Sequence, residues 1–134
     1  MVSDENRSIQ AVIEYERKRG RKAVDARRSH LGEGIDVVSD GSTNIQVKSN
    51  KNEPSMFWLS LTDFERLQTD PNYRVYYVYD LTKRPRVVVI PAETLRALLV
   101  PEIRFVVQPS KAQWKSILDG ARLRGDYDEV DVPS

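Results

Sequence analysis

The chain has 134 residues, 40% of them hydrophobic and 31% charged, with a formal net charge of +1. That size fits one domain around one core, and no run approaches the roughly 18 apolar residues of a membrane span. The chain has no cysteine, which excludes disulfides, thiolate zinc sites and a cysteine nucleophile.

The spacing predicts a first helix from Asp4 to Lys18, with Ile9, Val12, Ile13 and Tyr15 on one face. Ser3 or Asp4 caps its start, and Gly20 follows its basic last turn. Lys22 to Arg27 is a short strand pattern, and His30 to Gly34 is a loop. Two strand-like runs follow, Gly34-Ile35-Asp36-Val37-Val38-Ser39 and Asn44-Ile45-Gln46-Val47-Lys48. Asp40-Gly41 is the turn signal that joins them as a hairpin. Lys51 to Ser55 is a polar loop, and Phe57 to Leu61 is expected as a short strand. Thr62 to Leu67 is expected as a helix, with Thr62 as N-cap and Glu65 as the capping-box acid.

Tyr73 to Tyr79 is expected as a buried strand and Arg86 to Ile90 as its hairpin partner. Pro91 and Ala92 open a short helix through Leu99, and Ile103 to Val107 is a last strand. Ser110 caps a final helix through about Leu123, with Trp114, Ile117 and Leu118 turned inward. Asp126, Asp128, Glu129 and Asp131 form an acidic tail, expected to fray. The order predicts one α/β domain over residues 1–124, a mixed central sheet flanked by helices, followed by the tail over 125–134. The N-terminus lacks the apolar centre of a signal peptide, so a cytoplasmic protein away from membranes is expected.

Chemistry concentrates in the hairpin. Gln46 and Lys48 are two apart and project from one strand face, and a pairing hairpin brings Asp36 to them. A carboxylate, an amide oxygen and an ammonium suit a hard divalent cation beside a phosphodiester. Mg²⁺ takes oxygen ligands and only one or two protein carboxylates. Asp36 and Gln46 are the expected ligands, with the Val47 carbonyl adding an oxygen. Lys48 would orient water or stabilise phosphate charge. An acid on the first helix, Glu5, Glu14 or Glu16, would complete the site. The plainer alternative is an exposed hairpin face with a Lys–Asp ion pair.

The surrounding order is more specific. The first helix carries Glu5, then Val12-Ile13-Glu14-Tyr15-Glu16, then Gly20-Arg21. The aspartate segment is Leu31-Gly32-Glu33-Gly34-Ile35-Asp36-Val37, and the lysine strand is Ile45-Gln46-Val47-Lys48-Ser49. Leu59-Ser60 with Thr62-Asp63 turns into a helix, and Val75-Tyr76-Tyr77-Val78-Tyr79-Asp80-Leu81 is rich in tyrosine. Over about residues 5 to 90 this resembles the NO VEIN C-terminal-like domain family, a branch of the PD-(D/E)XK nuclease superfamily.

The resemblance implies a restriction-endonuclease-like fold and a Mg²⁺- or Mn²⁺-dependent nuclease, for DNA in preference to RNA. It makes Glu5 the helix acid, Asp36 the metal aspartate and Lys48 the catalytic lysine. Gln46 stands where a glutamate is usual and Ser49 where a glycine is usual. Gln before the lysine also occurs in relatives resembling Mrr-type restriction endonucleases. Cutting both strands calls for a homodimer or two visits. The alternative is a binding module for nucleic acid or protein that keeps the fold without tight metal binding.

Arg17, Lys18, Arg19, Arg21, Lys22, Arg27 and Arg28 concentrate near the N-terminus and are expected to grip a nucleic-acid backbone, with His30 beside them. A solvated helix end is the plainer reading of that cluster. Trp58 is the expected exposed aromatic; Tyr76, Tyr77 and Tyr79 read as core.

Overall fold

The structure is a computed structural model and describes residues 3–102 and 107–128. Two compact units make up the chain, residues 1–99 and residues 100–134; the single domain expected over 1–124 spans both. The first unit is a mixed α/β arrangement. Helix α1 (Asp4–Lys18) precedes strands β1 (Ala23–Asp25), β2 (Val37–Ser39) and β3 (Thr43–Ser49). Helix α2 (Leu61–Thr69) leads to β4 (Tyr73–Tyr79), β5 (Arg86–Ile90) and α3 (Ala92–Leu98).

The five strands form one sheet in sequence order. Only β3 and β4 run parallel; α2 makes the crossover between them. The other three pairings are antiparallel. The β2–β3 hairpin closes through Asp40 and Gly41, both at positive φ (51° and 72°). An Asp-Gly pair tolerates that backbone better than most residues.

Alternation sends the strands' side chains to two cores. On one face, Ile9, Val12 and Ile13 of α1 pack on Val37, Ile45, Tyr76 and Val78. On the other, Leu67 of α2 and Leu95 of α3 pack with Tyr73 and Val75. Ile45 and Val47 belong to the α1 face, so Gln46 and Lys48 project to the α2 face. Ser3 caps α1, its side chain accepting from Asn6 N–H at 3.1 Å. Arg7 then ties α1 to the β4–β5 loop, donating to the Leu81 and Lys83 carbonyls.

Two expectations fail around α2. Residues 57–60 are not a strand. Phe57 and Leu59 still turn toward the second core, alternating with exposed Trp58 and Ser60, but β4 already has β3 and β5 on its two sides. The helix also starts earlier, because Ser60 rather than Thr62 is the cap. Ser60 Oγ accepts from Asp63 N–H and Asp63 Oδ2 accepts from Ser60 N–H, both at 3.0 Å, so Asp63 replaces Glu65 as the box acid.

The second unit holds α4 (Lys111–Arg124), capped by Ser110 and Gln113. Trp114 and Ile117, expected to turn inward, are about half exposed, and α4 buries no residue. Residues 103–106 of the expected last strand, and Glu129 and Asp131 of the expected acidic tail, lie outside the described residues. Among the described residues no helix is long and apolar enough to cross a membrane.

Candidate functional site

A cleft of about 460 Å³ opens in the first unit. Its lining includes Asp36, Gln46, Lys48, Glu5, Arg27 and Asp63. Asp36 lies just before β2, where its N–H donates to the Ile45 carbonyl at 2.8 Å. Its Oδ2 accepts from Val47 N–H at 2.9 Å. The carboxylate thus caps a strand N–H beyond the end of the hairpin ladder, and this contact fixes it beside β3.

Burial pushes the Asp36 carboxyl above its usual range, and the nearby Glu5 charge adds to that. The Val47 N–H and the Lys48 and Arg27 cations pull the other way without overcoming it. The fold therefore holds Asp36 where its negative charge is under-compensated. An added cation would relieve that imbalance.

Gln46 points into the same cleft, and its Oε1 is buried without a hydrogen-bond partner. A buried amide oxygen left unpaired carries a desolvation penalty of about 1–3 kcal/mol. Lys48 Nζ lies 3.2 Å from Asp63 Oδ2, with 22% of the lysine side chain and 3% of the aspartate side chain exposed. Glu5 is drawn to the mouth by Arg27, whose Nη1 lies 3.2 Å from Glu5 Oε1. Arg27 Nη2 also pairs with Asp25 at 2.7 Å, so its charge is shared by two carboxylates. At the rim, His30 Nδ1–H donates to Glu33 Oε2 at 2.5 Å.

Glu16 does not line this cleft. It is 1% exposed on the α1 face, bound by Arg21 Nε at 2.8 Å and Nη2 at 2.5 Å, and by the Tyr76 hydroxyl at 3.0 Å. Burial raises its pKa, but the hydrogen bonds from Arg21 and Tyr76 outweigh that and leave it lowered. Its oxygens are occupied by the fold, and of the two helix acids expected at the site only Glu5 lines the cleft.

Of the residues expected to grip nucleic acid, Arg27 and His30 line the cleft and Arg17, Lys18, Arg19, Arg21, Lys22 and Arg28 do not. Arg17 pairs with Glu14 at 3.5 Å, Arg19 lies 3.6 Å over the Tyr15 ring, and Arg21 is held by Glu16. Lys18, Lys22 and Arg28 are exposed.

Asp63 is the cleft residue that the sequence reading missed. Its signal was present as the Ser60-Leu61-Thr62-Asp63 spacing of a capping box. Gly34, expected at the end of a loop and the start of the aspartate run, packs against this carboxylate. It has φ +70°, and a Cβ there would come within 2.7 Å of Asp63 Oδ1.

Among the described residues no group of three or more His, Cys, Asp or Glu is placed to hold a metal ion. The donor set at the cleft is instead mixed: one aspartate, one amide oxygen and the strand backbone. In an antiparallel ladder a residue's N–H and C=O serve the same neighbour. The Val47 carbonyl therefore lies on the Asp36 side, with its N–H. Such a set fits Mg²⁺ or Mn²⁺, which bind through few carboxylates and keep several waters.

Residues 4–90, well over half of the chain, match the family model described as Protein NO VEIN, C-terminal. The match covers the whole cleft. No curated protein matches the chain, and no solved structure does.

Proposed function

The chain belongs to the NO VEIN C-terminal domain family, and from that premise we propose that it is a divalent-metal-dependent nuclease of the PD-(D/E)XK type. Its substrate is DNA in preference to RNA. The observation that carries this reading is the unpaired, buried Gln46 Oε1 in a cleft shared with Asp36 and Lys48.

When bound, Mg²⁺ or Mn²⁺ supplies Lewis-acid activation of water and a counter-charge for the phosphate. Asp36, Gln46 and the Val47 carbonyl would hold it. Lys48 offers ammonium protons to a phosphate oxygen or to the attacking water. Arg27 and His30 line the cleft where a backbone phosphate would enter, and Glu5, lining the same cleft, would accept a proton from water. In the reaction a water oxygen bonds to phosphorus and one P–O ester bond breaks. The products are a phosphomonoester and a hydroxyl. Cleavage of both strands calls for two copies of the chain or two visits.

Incubation with plasmid and single-stranded DNA plus Mg²⁺ or Mn²⁺ tests this reading, with Asp36→Ala and Lys48→Ala alongside. Cleavage by the wild type that both substitutions abolish is expected. Cleavage that survives both would remove the site assignment. A second reading is favoured by the pairing of neutral Gln46 with an Asp36 whose pKa is raised. It is a binding module without turnover, and it predicts DNA binding that weakens steeply with salt and no cleavage.

A further inference from the structure

Asp63 sits where a helix cap and the cleft meet. It is 2% exposed, and three donors reach its carboxylate. Ser60 N–H donates to Oδ2 at 3.0 Å, the Tyr73 hydroxyl donates to Oδ1 at 3.3 Å, and Lys48 Nζ lies 3.2 Å from Oδ2. Burial and the charge of Asp63 push the Tyr73 hydroxyl well above its usual pKa, so it remains a donor. Ser60 and Tyr73 therefore fix the carboxylate independently of the lysine. A cap alone needs only the Ser60 contact.

We propose that Asp63 is a positioning residue for Lys48, anchoring the ammonium so that its remaining protons face Asp36 and Gln46 across the cleft. An ammonium has three donors on a flexible four-carbon stem. With one proton held by a rigid carboxylate, two are left for a phosphate oxygen or a water. The asymmetry of burial fits this division, since the lysine keeps 22% exposure and the aspartate 3%.

The second arm of the site closes on the same group. Gly34, two residues before Asp36, approaches Asp63 Oδ1 so closely that a Cβ would lie at 2.7 Å. Asp63 thus sets the distance between the loop carrying Asp36 and the strand carrying Lys48. The tether is independent of any activity; its catalytic consequence rests on the nuclease reading above.

Asp63→Asn tests it, because an asparagine oxygen still accepts from Ser60 N–H while the negative charge opposite the Lys48 ammonium is lost. The first readout is acetylation of Lys48 by a water-soluble active ester, followed by peptide mass spectrometry. Lys48 should label more slowly than exposed Lys51 in the wild type, and several-fold faster in Asp63→Asn. Equal labelling of Lys48 and Lys51 in the wild type would overturn the tether without any variant. Ser60→Ala loosens the cap from its other side and should leave Lys48 labelling at the wild-type rate. A rise there equal to that in Asp63→Asn would reduce Asp63 to a cap.

The second readout is steady-state DNA cleavage, where kcat should fall roughly ten-fold with KM unchanged. A raised KM with unchanged kcat would overturn positioning. Faster Lys48 labelling in Asp63→Asn, from a wild type that cuts no DNA, would uphold the tether and sink the nuclease reading instead.

Discussion

Glu16 and Asp36 are carboxylates at opposite faces of one sheet, and the fold treats them in opposite ways. Glu16 is buried, yet its pKa is lowered, because Arg21 and Tyr76 direct donors at both of its oxygens. The Asp36 pKa is raised, because one N–H and the charges of Lys48 and Arg27 do not offset its desolvation. Its neighbour Gln46 has an oxygen with no partner at all. Burial alone therefore does not mark the site. The distinguishing feature of the cleft is a carboxylate short of donors beside an unpaired amide oxygen, two acceptors facing one space, as expected where something else binds.

Asp36→Asn separates the two regions most strongly. The amide keeps an acceptor for Val47 N–H and removes a charge that burial and Glu5 disfavour. Folding stability should hold or rise slightly in urea denaturation. Cleavage should fall by about 10²–10³-fold, the usual range for losing one strong electrostatic contributor. Metal binding measured by calorimetry should weaken in step. A stability loss as large as that of a core variant would place Asp36 with Glu16 as structure.

Glu16→Ala is the reciprocal experiment. It leaves the Tyr76 hydroxyl buried without its acceptor, while Arg21, partly exposed, can turn to water. A loss of about 2–3 kcal/mol is expected, in line with hydrogen bonds to a charged group. At temperatures where the variant stays folded, its cleavage rate should match the wild type. A specific cleavage defect in folded Glu16→Ala would return Glu16 to the site and break the contrast.

The contrast also explains which parts the sequence disclosed. The extents of α1, β4 and β5 were legible, the helix from its apolar period and the strands from aromatic and β-branched runs between clear stops. The Asp36, Gln46 and Lys48 convergence was legible too, because strand alternation and a hairpin turn suffice to place it. The role of Glu16 was not. A helix acid is a site residue or a buried strut according to what lies opposite, and Tyr76 lies 60 residues away. Arg21 likewise read as a phosphate ligand, yet it is the partner of that strut. Residues 57–60 alternate like a strand but pair with no strand, and β4, whose core they join, already has β3 and β5 on its two sides. Asp63 was hidden because Thr62 and Glu65 satisfy the same capping pattern two residues later.

Gly34→Ala probes the cleft side at smaller amplitude. At φ +70° an alanine is strained, and its Cβ would press on Asp63 Oδ1. A loss of about 1–2 kcal/mol is expected from the backbone conformation. The Cβ contact should add displacement of Asp63 and hence faster acetylation of Lys48. Gly41→Ala, also at positive φ but with nothing within 4 Å, should show a similar stability loss without the change at Lys48.

The smallest effect is in the pH dependence of stability, and its sign differs for the two carboxylates. The Glu16 pKa is lowered on folding, so its contribution is complete above the unfolded value of about 4.3 and fades as pH falls through the folded one. The Asp36 pKa is raised, so ionising it opposes folding, and that penalty disappears as pH falls below its unfolded value of about 3.9. Acidification thus removes a stabilising contribution on the α1 face and relieves a destabilising one in the cleft. Urea midpoints between pH 6 and pH 3 should fall less steeply in Glu16→Gln than in the wild type. They should fall more steeply in Asp36→Asn, where no relief is left to gain. Identical slopes in both variants would mean that the two carboxylates titrate alike, and the distinction between strut and site would then have to rest on Gln46 alone.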